Sequence, residues 1–182
     1  MGLYSDSSEI EAITGEVKRQ IFVGICGSFS ENTRPILEGL KKYLNENGYS
    51  HVCTADDFPT ERPRITTGDE KYKDAYDTSI QLVNECDIII IFFFDSKRDT
   101  EINQSAIAEI QELCSKKKRN VIVLSEEGFK FKANLKGIKI KSTEHKWWEW
   151  NNFLMYQMED CYFFVKQSCQ NIILERLVRR DI

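Results

Sequence analysis

The chain has 182 residues, enough for one domain with a sizeable core. Its 41% hydrophobic and 30% charged residues are the balance of a globular protein and exclude a disordered chain. A net charge of −4 gives no global attraction to nucleic acid or to an anionic membrane, so neither is an expected partner.

Residues 1–18 are polar, with a weak helical pattern through Ile10 and Ile13, and are expected to form an N-terminal arm. Residues 21–26, Ile-Phe-Val-Gly-Ile-Cys, read as a first buried strand, broken by Gly27-Ser28. A helix follows with Pro35 in its first turn, apolar positions at Ile36, Leu37, Leu40, Tyr43 and Leu44, and an end at Gly48. Residues 50–55 read as a second strand ending at Asp56-Asp57. Pro59, Pro63 and Gly68 mark a loop, and a helix is expected from about 69 to 85.

Ile88 to Phe94 are seven consecutive apolar residues held between Asp87 and Asp95. Seven residues are too few to span a membrane and suit a strand buried on both faces, the kind found in parallel sheets. A helix over about 102–117 places Ile102, Ala106, Ile110 and Leu113 on one face. Residues 120–125 read as a fourth strand, and 137–141 as a shorter fifth. Beyond Thr143, residues Trp147, Trp150, Leu154, Met158, Cys161 and Val165 recur at helical spacing, and a last helix is expected over about 167–180.

Strands alternating with helices predict an α/β domain over 19–143, with a doubly wound, mainly parallel sheet of about five strands. Residues 144–182 are expected to add C-terminal helices packed on the same domain. Six cysteines without CxxC spacing and only two histidines, His51 and His145, argue against a structural metal, and no cofactor is expected. The cysteines are read as reduced and mostly buried, which with no signal-like segment implies a cytoplasmic setting.

In open α/β sheets ligands bind beyond the carboxyl ends of the strands, so those ends are where chemistry is expected. After strand one, Gly24 and Gly27 would let a ligand approach the backbone, and amides near Ser28 at the next helix start could hold an anion. A tight turn accounts for the same residues. After strand two, Asp56 and Asp57 could bind sugar hydroxyls or cap a turn. After strand three stands Asp95. The next helix carries Ser105 and then Glu109, whose largely apolar neighbours predict a partly buried carboxylate near a helix N-terminus, held ionised. A surface glutamate on an amphipathic helix is the plain alternative.

The order of a Cys-Gly-Ser turn, a strand ending in Asp, a Cys-Asp-apolar strand, then Ala-x-x-Glu-Ile on a helix and Asn-Val-Ile-Val-Leu resembles the nucleoside 2-deoxyribosyltransferase superfamily and its nucleotide N-glycosidase relatives, over about residues 20–126. The resemblance implies a flavodoxin-like sheet and cleavage of N-glycosidic bonds. It implies Glu109 as the nucleophile on the anomeric carbon, Asp95 as an acidic group that binds or protonates substrate, and Gly27 and Ser28 as sugar or phosphate contacts. Retaining cleavage uses one carboxylate nucleophile and one nearby acid/base, which this pair would supply. The family often has Gly-Thr before Ala-x-x-Glu and Gly two residues after it; here Gln104-Ser105 and Gln111 stand there.

Two other readings share the layout. One is a TIR-like domain that cleaves NAD or senses nucleotides. The other is a non-catalytic nucleotide-binding or interaction module, favoured by the missing glycines. The expected partner is a nucleoside, nucleotide or NAD-like small molecule, except for an interaction module, whose C-terminal helices would mediate assembly. A receiver domain would need acids after strand one, where Gly27-Ser28 stands instead. The Trp147-Trp148-Glu149-Trp150 cluster reads as core or interface, and if exposed as a homodimer surface.

Overall fold

A computed structural model of the chain describes residues 7–28, 30–60, 63–95, 103–115, 120–126, 129, 147–153 and 158–180, the stretch 147–153 by its backbone alone. The elements run α1 (Ser7–Gln20), β1 (Phe22–Cys26), α2 (Arg34–Glu46), β2 (His51–Thr54), α3 (Glu70–Glu85), β3 (Ile88–Phe93), α4 (Gln104–Ser115), β4 (Val121–Glu126), β5 (Trp147–Phe153) and α5 (Met158–Arg180). The five strands form one sheet in the order β2-β1-β3-β4-β5, and every pairing is parallel. This is the doubly wound, flavodoxin-like order, whose topological switch point lies between β1 and β3.

Strand β3 is the hub. Its six residues are each no more than 1% exposed, and alternation sends them to two separate cores. Ile88, Ile90 and Phe92 join Leu37, Leu40 and Leu44 of α2 and Val165, Cys169 and Ile173 of α5 on one face. Ile89, Ile91 and Phe93 join Leu82 and Val83 of α3 and Ala106, Ile110 and Leu113 of α4 on the other. Burying each such large side chain contributes about 2 kcal/mol, which is why a run lacking polar alternation settles at the centre.

Four expectations change. The polar arm is largely a helix, α1, whose Val17 packs against the first core. The fifth strand is Trp147–Phe153, where helical spacing had been read. Strand β4 would otherwise be an open edge, and Trp and Phe suit a strand, so pairing overrides a local 3–4 spacing. A single 23-residue helix, α5, joins the end of that helical spacing to the last helix expected over about 167–180. The fourth change concerns Gly24, where an added Cβ would stand 2.6 Å from Leu82 Cδ2 and 3.1 Å from Cys86 Sγ. That glycine is required by the close approach of α3 to β1, which accounts for it without a ligand. The strand expected at 137–141 lies outside the described residues, as does what the Trp147–Trp150 rings cover. Cys26, Cys86, Cys161 and Cys169 are buried and Cys53 is half-buried, all five outside any disulfide.

Candidate functional site

The ends of β1 and β3 meet at the switch point, and the turn after β1 is built around one glycine. Gly27 has φ +145°, a region that L side chains rarely adopt. A Cβ there would also stand 3.2 Å from Phe92 Cβ and 3.3 Å from Phe92 O. Ser28 then closes the route into α2: its carbonyl accepts from Thr33 Oγ1 at 2.6 Å, and the Ser30 and Thr33 hydroxyls lie 2.9 Å apart.

Helix α4 is set against this turn by a residue not anticipated from sequence. Asn103, buried just before the helix, brackets Phe94: Oδ1 accepts from the Phe94 amide at 2.8 Å and Nδ2 donates to its carbonyl at 2.6 Å. The Asn103 carbonyl also accepts the first helical bond, from Ile107 N. Its signal in the sequence is an Asn directly before an apolar-periodic segment, the preference of an N-cap. So fixed, α4 brings the exposed Ser105 to the turn, where its hydroxyl donates to the Gly27 carbonyl at 3.5 Å, the outer limit of a hydrogen bond.

Glu109 lies one turn further along the same side of α4, as i and i+4 positions do. It is only 3% exposed, because it belongs to the stripe of Ala106, Ile110 and Leu113 that faces the sheet. Oε1 accepts from the Ser79 hydroxyl on α3. The Cys26 thiol at the end of β1 also favours the charged form, after Ser79. By geometry, Oε2 is buried with no hydrogen-bond partner. Burial outweighs both contacts and pushes the carboxyl up to about 8. The expectation of an ionised carboxylate is therefore corrected. Glu109 sits in the second turn, beyond close reach of the helix N-terminus, and desolvation decides. The same carboxylate helps to raise the Cys26 thiol well above its ordinary range, though burial is the larger cause.

The other expected residues divide. Asp95 follows β3 and is half-buried; its amide donates at 2.8 Å to Oε2 of Glu126, a buried carboxylate ending β4 that sequence reasoning missed. Among the described residues, Glu109's own partners are Ser79 and Cys26, not Asp95. Asp56 pairs with Arg34 at 2.8 Å across half-exposed side chains. Asp57 pairs with Lys41 and accepts from the Thr54 amide at 2.6 Å. These two aspartates tie β2 to α2 and cap a turn, the second of the two roles open to them. A surface hollow along α2, lined by Glu38, Lys41 and Lys42, also lies apart from Glu109. Among the described residues no cluster of His, Cys, Asp or Glu is arranged to hold a metal, and no helix is long and apolar enough to cross a membrane.

The arrangement thus offers a neutral carboxyl with one oxygen held and one without a partner, behind a turn that favours glycine. Such a group can donate a proton, accept from a hydroxyl, or attack carbon once ionised. No family model and no curated protein matches the chain. Among solved structures it is similar to a CMP N-glycosidase from Clostridium botulinum, at 16% identity and a TM-score of 0.48 over 81% of this chain and 98% of that one. It is also similar to a 2-deoxyribosyltransferase from the psychrotolerant bacterium Bacillus psychrosaccharolyticus, at 14% identity and a TM-score of 0.45 over 75% and 94%.

Proposed function

We propose that the chain binds a nucleoside or nucleotide at the β1/β3 switch point and cleaves its N-glycosidic bond, with Glu109 as the reacting carboxylate. The reading rests above all on the free oxygen, Oε2. A buried acceptor without a partner costs about 1–3 kcal/mol, and a group kept at that cost beside a switch-point turn is a candidate for chemistry. Ionised Oε2 attacks the anomeric carbon. The carbon–nitrogen bond breaks, its electron pair goes to the base, and a proton neutralises that nitrogen. Water or an acceptor base then displaces the glycosyl ester and returns the carboxylate. Asp95 at the exit of β3 is the group assigned to the proton. Gly27, Ser28 and Ser105 are assigned to the sugar or its phosphate.

The proton on free Glu109 shapes the pH dependence. Sugar hydroxyls donating to Oε2 would favour the charged form and lower its pKa in the complex. Without substrate the reactive form grows as pH rises toward about 8, so kcat/KM should climb from pH 6 to 8 and then level. The test is base release from nucleosides, nucleotides and NAD, followed by liquid chromatography, with Glu109→Ala as control. Undiminished release by that variant would remove Glu109 as nucleophile. Nicotinamide release from NAD alone would favour the TIR-like reading. One observation favours the non-catalytic binding module instead, namely that Glu109 is only 3% exposed. Calorimetric binding of a nucleotide, with no base released at any pH, would select it.

A further inference from the structure

Two adjacent hydroxyls on α3 behave differently. Thr78 bonds back to its own helix, donating to the Asp74 carbonyl four residues earlier at 2.8 Å. That local bond is the default for a hydroxyl inside a helix. Ser79, its neighbour, instead reaches across to α4 and donates to Glu109 Oε1. Both residues are buried, so the choice is not one between protein and water. From the sheet side the Cys26 thiol approaches the same carboxyl, and beyond it lies Cys86, where α3 runs into β3. Among the described residues, Cys26 is the titratable group that acts on Glu109, Cys86 acts in turn on Cys26, and both thiols are buried.

We propose that Ser79 is a positioning residue for the reaction at Glu109: its hydroxyl holds Oε1 and leaves Oε2 as the oxygen that reacts. The proposal rests on the glycosidic reading above. The anchor comes from α3, so the carboxyl is set by the packing of two helices and not by its own rotamer alone. It also favours the charged form, which is the form that attacks. Loss of the hydroxyl therefore has two consequences together: the carboxyl becomes harder to ionise, and its free oxygen is less well aimed.

The experiment is a carbon NMR titration of the Glu109 carboxyl in the full-length protein, assigned with Glu109→Gln, beside steady-state kinetics over pH. In Ser79→Ala the carboxyl midpoint should rise by about one unit, the size of one lost charge-assisted hydrogen bond. In the same variant kcat should fall about tenfold with KM unchanged, the mark of an interaction made in the transition state. Ser79→Thr keeps the hydroxyl and should restore both. Should the alanine variant not fold, Ser79→Cys, with its weaker donor, should move the midpoint the same way. A midpoint unmoved in the folded alanine or cysteine variant overturns the proposal. Wild-type protein that releases no base defeats the glycosidic reading and with it Ser79's part in a reaction. Wild-type turnover with an unmoved midpoint and kcat defeats Ser79 alone.

Discussion

Asp87 and Glu109 sit at opposite ends of the parallel sheet and are treated in opposite ways. Asp87, just before β3, has every polar group engaged. Its Oδ2 accepts from the Phe22 amide at 2.9 Å, its own amide donates to the Phe22 carbonyl at 2.8 Å, and Arg176 of α5 reaches Oδ1 at 3.3 Å. Its carbonyl accepts from Asn120 as well, so β1, β3, β4 and α5 are all tied to one residue. Glu109, behind the carboxyl ends of the strands, keeps one oxygen without a partner and a proton it would lose in water. The amino ends of the strands therefore serve stability, and the carboxyl ends hold a group whose requirements the protein alone does not satisfy.

The sharpest way to break this comparison is Glu109→Gln. Base release should fall by at least about 10³-fold, while the fold gains stability where the carboxyl is costly. The sign follows from the proton. The folded protein holds it up to about pH 8, and the unfolded chain loses it near the ordinary value of 4.5. Wild-type stability is therefore fully present below about 4.5 and declines as pH rises toward 8, by at most ~1.4 kcal/mol per pH unit from this group. Thermal melts from pH 5 to 9 should show that slope in the wild type and a flatter profile in the variant.

A pair of glycine variants comes next. Gly27→Ala should cost about 1–3 kcal/mol in urea unfolding and also impair substrate binding, because φ +145° and Phe92 both oppose a side chain. Gly24→Ala should cost a similar amount through overpacking against Leu82, yet leave kcat/KM of the folded protein unchanged. Equal effects on activity would erase the distinction between the two glycines. Asp87→Ala should lower stability by about 1–2 kcal/mol with activity intact, since it removes an amide's acceptor and a half-exposed ion pair. Smallest of all is Arg34→Ala. Its ion pair with Asp56 is about half exposed, and the change should stay within about 0.5 kcal/mol.

Most of the sheet was readable because its strands satisfy simple demands. An unbroken apolar run such as Ile88–Phe94 has no stable place except between two helical layers, and its neighbours followed from turn residues and alternation. Trp147–Phe153 was misread because the demand that shaped it, the open edge of β4, lies elsewhere in the chain. The candidate site divides along the same line. Glu109, Ser105 and Gly27 are local signals, a glutamate in an apolar stripe and a glycine after a strand, and the fold brings them together. Ser79, Cys26 and Glu126 could not be picked out, because their roles depend on contacts across 30 or more residues. Asp56 and Asp57 suit both binding and capping as a sequence, and their partners Arg34 and Lys41 stand on α2, where sequence spacing does not show them.

The proton on Glu109 also changes how the molecule moves in an electric field. The formal charge of −4 counts every glutamate as ionised, but at pH 7 the folded protein carries about one negative charge fewer. Glu109→Gln should then migrate with the wild type in a native gel at that pH. In urea the wild-type carboxyl ionises, and the two chains should separate by one charge. A single buried hydrogen atom would thus be visible as a difference between folded and unfolded mobility, with no substrate present.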